Sequence, residues 1–205
     1  PPLTDSIDAA LNDAKGYNAD LGFRGRLKNY LRFDVSIFQM NYRNRIGALS
    51  QIPGGKRLIT NVGDSKAYGI ESYLEFHPSY LINILPKTDW SLFCSYSYLN
   101  ARYSSTHQIE NIREKAVENA PPNIIRTGLS MDRSSFNITL QFSFTDATFS
   151  DANNTVEPTA NALNGAIPSY RVWDLTISKK IKKILTLNAG INNISNEYYF
   201  TRRAS

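Results

Sequence analysis

"SFNITLQFSFTDATF", residues 135–149, sets the reading of the whole chain. Its even positions, Phe136, Ile138, Leu140, Phe142 and Phe144, are apolar, and Asn137, Thr139, Gln141, Ser143 and Thr145 between them are polar. Side chains on a strand point alternately to opposite faces, so this segment has one oily face and one wet face. An oily face is stable either against a second sheet in a soluble sandwich or against lipid in a membrane barrel. The alternation by itself fits both.

Length and spacing of the neighbouring segments separate the two. Strand-like alternation recurs at 17–26, 30–42, 67–76, 89–103, 123–132, 135–146, 170–179 and 184–192, and no amphipathic helical period is sustained. Most of these segments reach ten residues, more than the five or six typical of globular strands and enough for a tilted strand to cross a bilayer. Tight turns at 27–29, 132–134 and 180–183 and a somewhat longer one at 77–88 alternate with long polar connections at 43–66, 101–122 and 147–169. Short and long connections therefore fall at opposite ends of the strands, the pattern of outer-membrane barrels. With this count, both chain ends fall on the long-loop side, whereas a closed even-stranded barrel keeps both at the short-turn side. The expectation is a partial, all-β, antiparallel up-and-down transmembrane barrel over 1–205, lacking a plug and a closing strand.

Strand phase gives the same answer. One face collects Ala19, Leu21, Phe23, Leu31, Phe33, Val35, Ile37, Trp90, Leu92, Cys94, Leu129, Met131, Leu175, Ile177, Leu185 and Leu187. The other collects Asp20, Arg24, Arg32, Asp34, Glu71, Glu75, Arg126 and Asp174. Tyr30, Tyr42, Tyr68, Tyr98, Tyr170, Trp173, Tyr198 and Tyr199 lie near strand boundaries, where amphipathic rings favour the headgroup zone.

Composition excludes other classes. In 205 residues with 12 Tyr and 10 Phe, the mean hydropathy is −0.36 and no apolar run approaches the roughly 20 residues of a membrane helix. The opening "PPLTDSIDAALNDAKG" lacks the pattern of a signal peptide. The net charge is +5, but the basic residues are interspersed with acids, so nucleic acid is not an expected partner. The single cysteine, Cys94, forms no disulfide within the chain and has no metal-ligand cluster around it. His77 and His107 have no Ser or Asp at a telling spacing and read as exposed histidines; no catalytic residue, cofactor or metal site is expected. "PGGKR" at 53–57 lacks phosphate-loop spacing and reads as a loop tip, and the matches to a glycosylation pattern, including "NIT" in mid-strand, read as accidental.

Three stretches resemble the C-terminal barrel region of TonB-dependent outer-membrane receptors. "NVGDSKAYGIESYLEFHPSY" (61–80) is similar to a segment in which a loop enters a strand through Gly69 and Glu71 points into the lumen. "AVENAPPNIIRTGLSMD" (116–132) resembles the small-residue and proline segment before a descending strand. "LTLNAGINNISNEYYFTRRAS" (185–205) resembles a penultimate strand followed by Asn-Leu/Ile-x-Asp/Asn and paired aromatics, and its end looks most like the ferric-citrate branch. The resemblance implies about twenty-two strands around an N-terminal plug. It also implies TonB contact through that plug and uptake of a scarce ligand, a ferric siderophore or ferric citrate, across the bacterial outer membrane, with lipid outside the wall.

Arginine forks suit the carboxylates of an anionic iron chelate. The basic residues nearest the long connections, Arg43, Arg45, Arg102, Arg113, Arg171, Arg202 and Arg203, are therefore the expected ligand contacts, while mid-strand charges read as cross-strand pairs. Two other readings stay open at this level: a small passive or structural outer-membrane barrel, and a secreted carbohydrate-binding β-sandwich.

Overall fold

A computed structural model describes residues 6–49, 58–82, 85–107, 111–160, 162–182 and 184–203; the "PGGKR" expectation at 53–57 lies outside them. Eight long strands form one antiparallel meander: β2 (Lys15–Leu27), β3 (Leu31–Leu49), β4 (Leu58–Phe76), β5 (Asp89–Tyr103), β6 (Asn123–Arg133), β7 (Phe136–Thr145), β10 (Tyr170–Ile181) and β11 (Leu185–Ile191). Each pairs with its neighbour, in the order β11-β10-β7-β6-β5-β4-β3-β2. Two-residue β1 (Ser6–Ile7) adds in parallel to β4, and β8 (Thr148–Phe149) with β9 (Ala166–Ile167) makes a separate small hairpin. Among the described residues the meander does not close on itself.

Register fixes which residues share a face. Phe142 lies opposite Thr127 and Trp173, Leu140 opposite Leu129 and Leu175, and Ile138 opposite Met131 and Ile177. Further along, Leu92 faces Leu129, Leu74 faces Cys94, Ile37 faces Ile70 and Leu21 faces Ile37. From Leu21 to Ile191 this face carries no charged side chain in its middle. Leu129 and Leu140, each with a paired strand on both sides, are still 38% and 37% exposed. No second sheet covers them among the described residues, which removes the sandwich reading. The opposite face is concave: residues from β2 through β6, including Asp20, Arg24, Arg32, Asp34, Glu71 and Arg126, line one open hollow of ≈ 1120 Å³. The sheet therefore curls with its wet face inward and its oily face outward, as a barrel wall does.

The long-loop side differs from the expected open connections. β3 and β4 each run for 19 residues, so much of the expected loop 43–66 is a hairpin projecting past the other strands. Its β4 arm is covered: β1 pairs with Leu58 and Ile59, the His107 N–H donates to the Val62 carbonyl, and Thr60, Asn61 and Val62 are buried. The loops also pack. Among the described residues, Val62 and Tyr103, at the loop-side ends of β4 and β5, form a buried cluster with Ile112, Val117 and Ala152 of the loops. Asn154 joins two of the loops by copying a strand pairing, accepting the Ala116 N–H at 2.7 Å and donating to the Ala116 carbonyl at 2.8 Å. Asn119 donates its N–H to the Phe149 carbonyl, and Ala120 donates to Thr148 Oγ1.

At the tight-turn end, His77 departs from the exposed histidine expected of it. It is half-buried, with Nδ1 3.2 Å from Asp89 Oδ2 and Nε2 3.4 Å from Glu75 Oε1. The 77–88 turn, with its short 3-10 segment Pro78–Tyr80, brings these two carboxylates together.

Candidate functional site: the lumen wall and the loop cap

The inward face offers a hydrated, mixed-charge surface. Arg24 Nε lies 3.5 Å from Asp34 Oδ2, an exposed pair that holds the wall locally. Arg32 is opposite Glu75 in register, and its guanidinium carbon is 5.9 Å from the centre of the Tyr73 ring. Arg126 is different: its register partners are Ser95 and Ser143, and among the described residues no carboxylate lies within ion-pair distance of it. It is an uncommitted cation at mid-height in the hollow. The sequence had placed Arg126 on the inward face without marking it as a contact residue; the serines on both flanking strands are the signal that it is unpaired.

Above the hollow, a β-bulge between Tyr42 and Ile46 redirects β3, with Asn44 at a φ of 54°. Asn44 N–H donates to Asp64 Oδ1 at 3.0 Å, and Asn61 Nδ2 donates to the Asn44 carbonyl at 2.8 Å. The extra residue turns Arg45 onto the side of Tyr103, where its Nε lies 3.8 Å from Glu118 Oε1. The fully buried Tyr103 donates its phenol proton to Glu118 Oε2 at 2.6 Å. Burial, followed by the adjacent Glu118 charge, pushes the Tyr103 phenol well above its usual range, so it remains a donor.

The seven expected ligand contacts separate into three groups. Arg43, Arg102 and Arg171 lie on the outward face: Arg43 opposite Lys15, Arg102 opposite Lys66, and Arg171 opposite Phe144. Arg102 also donates to the Glu114 carbonyl at 2.7 Å. Arg45 and Arg203 are held in the loop cap. Arg203 donates to the Ala166 carbonyl at 2.7 Å and lies across Gly165, whose φ of 139° and lack of Cβ admit the guanidinium. Arg113 and Arg202 are exposed on loops, Arg113 only 3.9 Å from Glu114 Oε1.

Arg202 and Arg203 reach the loop side because the chain runs on beside β10 after β11, around a local turn: Ile191 lies opposite Leu175, and the Ile194 N–H donates to the Trp173 carbonyl. Asn193 N–H donates to Asp174 Oδ1 at 2.9 Å, while its side chain accepts the Glu197 N–H and donates to the Glu197 carbonyl, both at 2.9 Å. Tyr199 then stacks on Tyr170 at 4.4 Å between ring centres, and the segment ends against the β8–β9 hairpin. The Asn-Ile-x-Asn stretch is thus a side-chain-built turn.

This geometry has close counterparts. Residues 2–194 match the model of the family described as "TonB dependent receptor-like, beta-barrel". The chain belongs to that family. The structure superimposes on that of the ferric citrate transporter FecA in its unliganded form with a TM-score of 0.75 at 21% identity, over 90% of this chain and 27% of FecA. It matches the copper transporter OprC with a TM-score of 0.68 at 15% identity, over 91% of this chain and 26% of OprC. It matches the siderophore receptor PiuA from Acinetobacter baumannii with a TM-score of 0.59 at 21% identity, over 93% of this chain and 25% of PiuA. The chain spans about a quarter of the length of these relatives, and at these identities they establish the barrel fold.

Proposed function

We propose that these residues form one sector of the wall of an outer-membrane active-transport receptor, which takes up a scarce ligand by a TonB-dependent route through a plugged lumen. The observation that carries this is the curled single sheet, oily outside and charged inside, in a member of this receptor family. Among the described residues the outer edges of β2 and β11 have no strand partner, which fits a larger barrel, because lipid leaves no partner for exposed backbone groups and further strands must satisfy them. Coupling to TonB would run through a plug outside this stretch of sequence.

For the ligand we favour a ferric chelate with carboxylate groups, ferric citrate or a siderophore, on the strength of the likeness to FecA and PiuA and of the cations facing the lumen. Arg113 and Arg202 on the loops would attract the anion, and Arg126 below would receive it. Arg45 and Arg203 would shape the loop cap, and the three outward arginines would take no part in capture. Uptake of labelled ferric citrate by iron-starved cells carrying the intact receptor tests this. Arg126→Gln should lower uptake several-fold, while Arg171→Gln should leave it unchanged. Equal uptake by both variants and the parent removes Arg126 from the route.

A further inference from the structure

The outward face of β2 to β5 carries an amphipathic groove that transport does not use. Its upper half, ≈ 510 Å³, is polar and lies between Tyr17, Asn41, Arg43, Lys66 and Ser104. Its lower half, ≈ 520 Å³, is lined by Leu21, Ile37, Tyr68, Ile70 and Tyr98, and Gln39 borders both halves. Lys15 pairs in register with Arg43, and Lys66 pairs with Arg102, so four cations sit on four adjacent strands. All four are exposed, and among the described residues none lies within ion-pair distance of a carboxylate. Two acids line the groove: Asp64 is already engaged by Asn44 N–H at 3.0 Å and by His107 Nε2 at 3.6 Å, and Asp20, in the lower half, belongs to the inward-facing set and also lines the hollow.

We infer that this groove binds one phosphorylated glycolipid of the long-loop leaflet, with its acyl chains against the apolar half and two phosphates on the cations. Two features select a diphosphorylated sugar headgroup over a glycerophospholipid. The cations occupy two levels, the Lys66–Arg102 pair and the Lys15–Arg43 pair one outward step above, about 7 Å apart along the strands. They also spread over three strand spacings, about 14 Å, too wide for a single phosphodiester. Asn41, Tyr17 and Ser104 present hydrogen-bonding groups between the charges, where sugar hydroxyls and amides would lie. Such a lipid would clamp the upper wall beside the projecting β3–β4 hairpin.

The inference rests on the outward face meeting lipid, and the test separates the two claims. The intact receptor, delipidated in detergent, is titrated by native mass spectrometry with diphosphoryl lipid A, monophosphoryl lipid A and phosphatidylglycerol. The inference requires diphosphoryl lipid A to bind most tightly, the monophosphoryl form several-fold more weakly, and phosphatidylglycerol weakest. It also requires Arg43→Gln/Lys66→Gln to reduce diphosphoryl binding at least tenfold, while Lys179→Gln, on the same face at the other end of the wall, does not. Equal affinity for the three lipids, or a double variant that binds as the parent does, overturns it. Should the double variant fail to show the heat-modifiable migration of a folded barrel, the ranking of the three lipids on the parent protein decides alone. Failure to retain any lipid would instead count against the membrane-facing assignment.

Discussion

Replacing Leu140 by arginine in the intact receptor places a charge at the centre of the outward face, and the structure sets its cost. Leu140 is the middle of the five outward positions of β7 and lies between Leu129 and Leu175 on the flanking strands. Four residues from Phe136 is about 14 Å along the strand, or about 10 Å in depth at a 45° tilt, near the middle of an apolar band of about 25 Å. An arginine at that depth costs about 2–4 kcal/mol, roughly two orders of magnitude in the folding equilibrium. One residue further, Gln141→Arg lies on the opposite, inward face, across from Gly128 and Asp174, where a surface-like change within about 0.5 kcal/mol is expected. Guanidinium titration of the receptor in short-chain phosphatidylcholine vesicles, followed by tryptophan fluorescence, reads both. Equal destabilisation by the two substitutions, or a larger effect at Gln141, would refute the assignment of faces.

Two further outcomes follow from local geometry. At Gly69 a Cβ would collide with the Tyr98 carbonyl and come within 2.5 Å of the Phe38 ring, so Gly69→Val should cost about 1–3 kcal/mol in the same titration, and a neutral result would contradict the close strand approach. Asp8 accepts the Thr60 hydroxyl at 2.6 Å and the Ala10 N–H at 2.9 Å, which lowers its pKa below the usual 3.8. Because the folded-state value is depressed, this anchoring is complete above pH 3.8 and is lost as pH falls through the lower folded value. Amide exchange at Asp8, whose N–H bonds to the Ile59 carbonyl, should accelerate over that window beyond the intrinsic pH effect, and Asp8→Asn should abolish the extra acceleration.

Much of the wall was legible because period-two alternation leaves no freedom once one face is apolar: "SFNITLQFSFT" fixes its own phase and, through pairing, that of its neighbours. The same parity also held information that loop proximity obscured. Arg102 is in step with Tyr98 and Trp90, Arg171 with Trp173, and Arg43 with Ile37, so each belongs to the outward face although it lies near a long loop. Arg45 breaks that rule, since counting from Ile37 would send it outward and only the bulge at Asn44, closed by Asp64 and Asn61, turns it toward Glu118. The loop cap was hidden for a different reason. Its contacts join residues far apart in sequence, such as Ala116 with Asn154 and Tyr103 with Glu118, through side chains that read as ordinary loop polars. His77 belongs with these, since its carboxylates come from strands on either side of a turn.

The proposed uptake route requires the inward face to bound a plugged, energised lumen. In a Cys94→Ser background, Ser97→Cys lies on that face opposite Glu71, and Tyr98→Cys on the outward face opposite Ile70. Labelling of intact cells by a membrane-impermeant thiol reagent should be negligible at position 98. At position 97 it should be slow at rest and several-fold faster when ligand and TonB are both present. Labelling at 98 in preference to 97, or a rate at 97 indifferent to TonB, would contradict it.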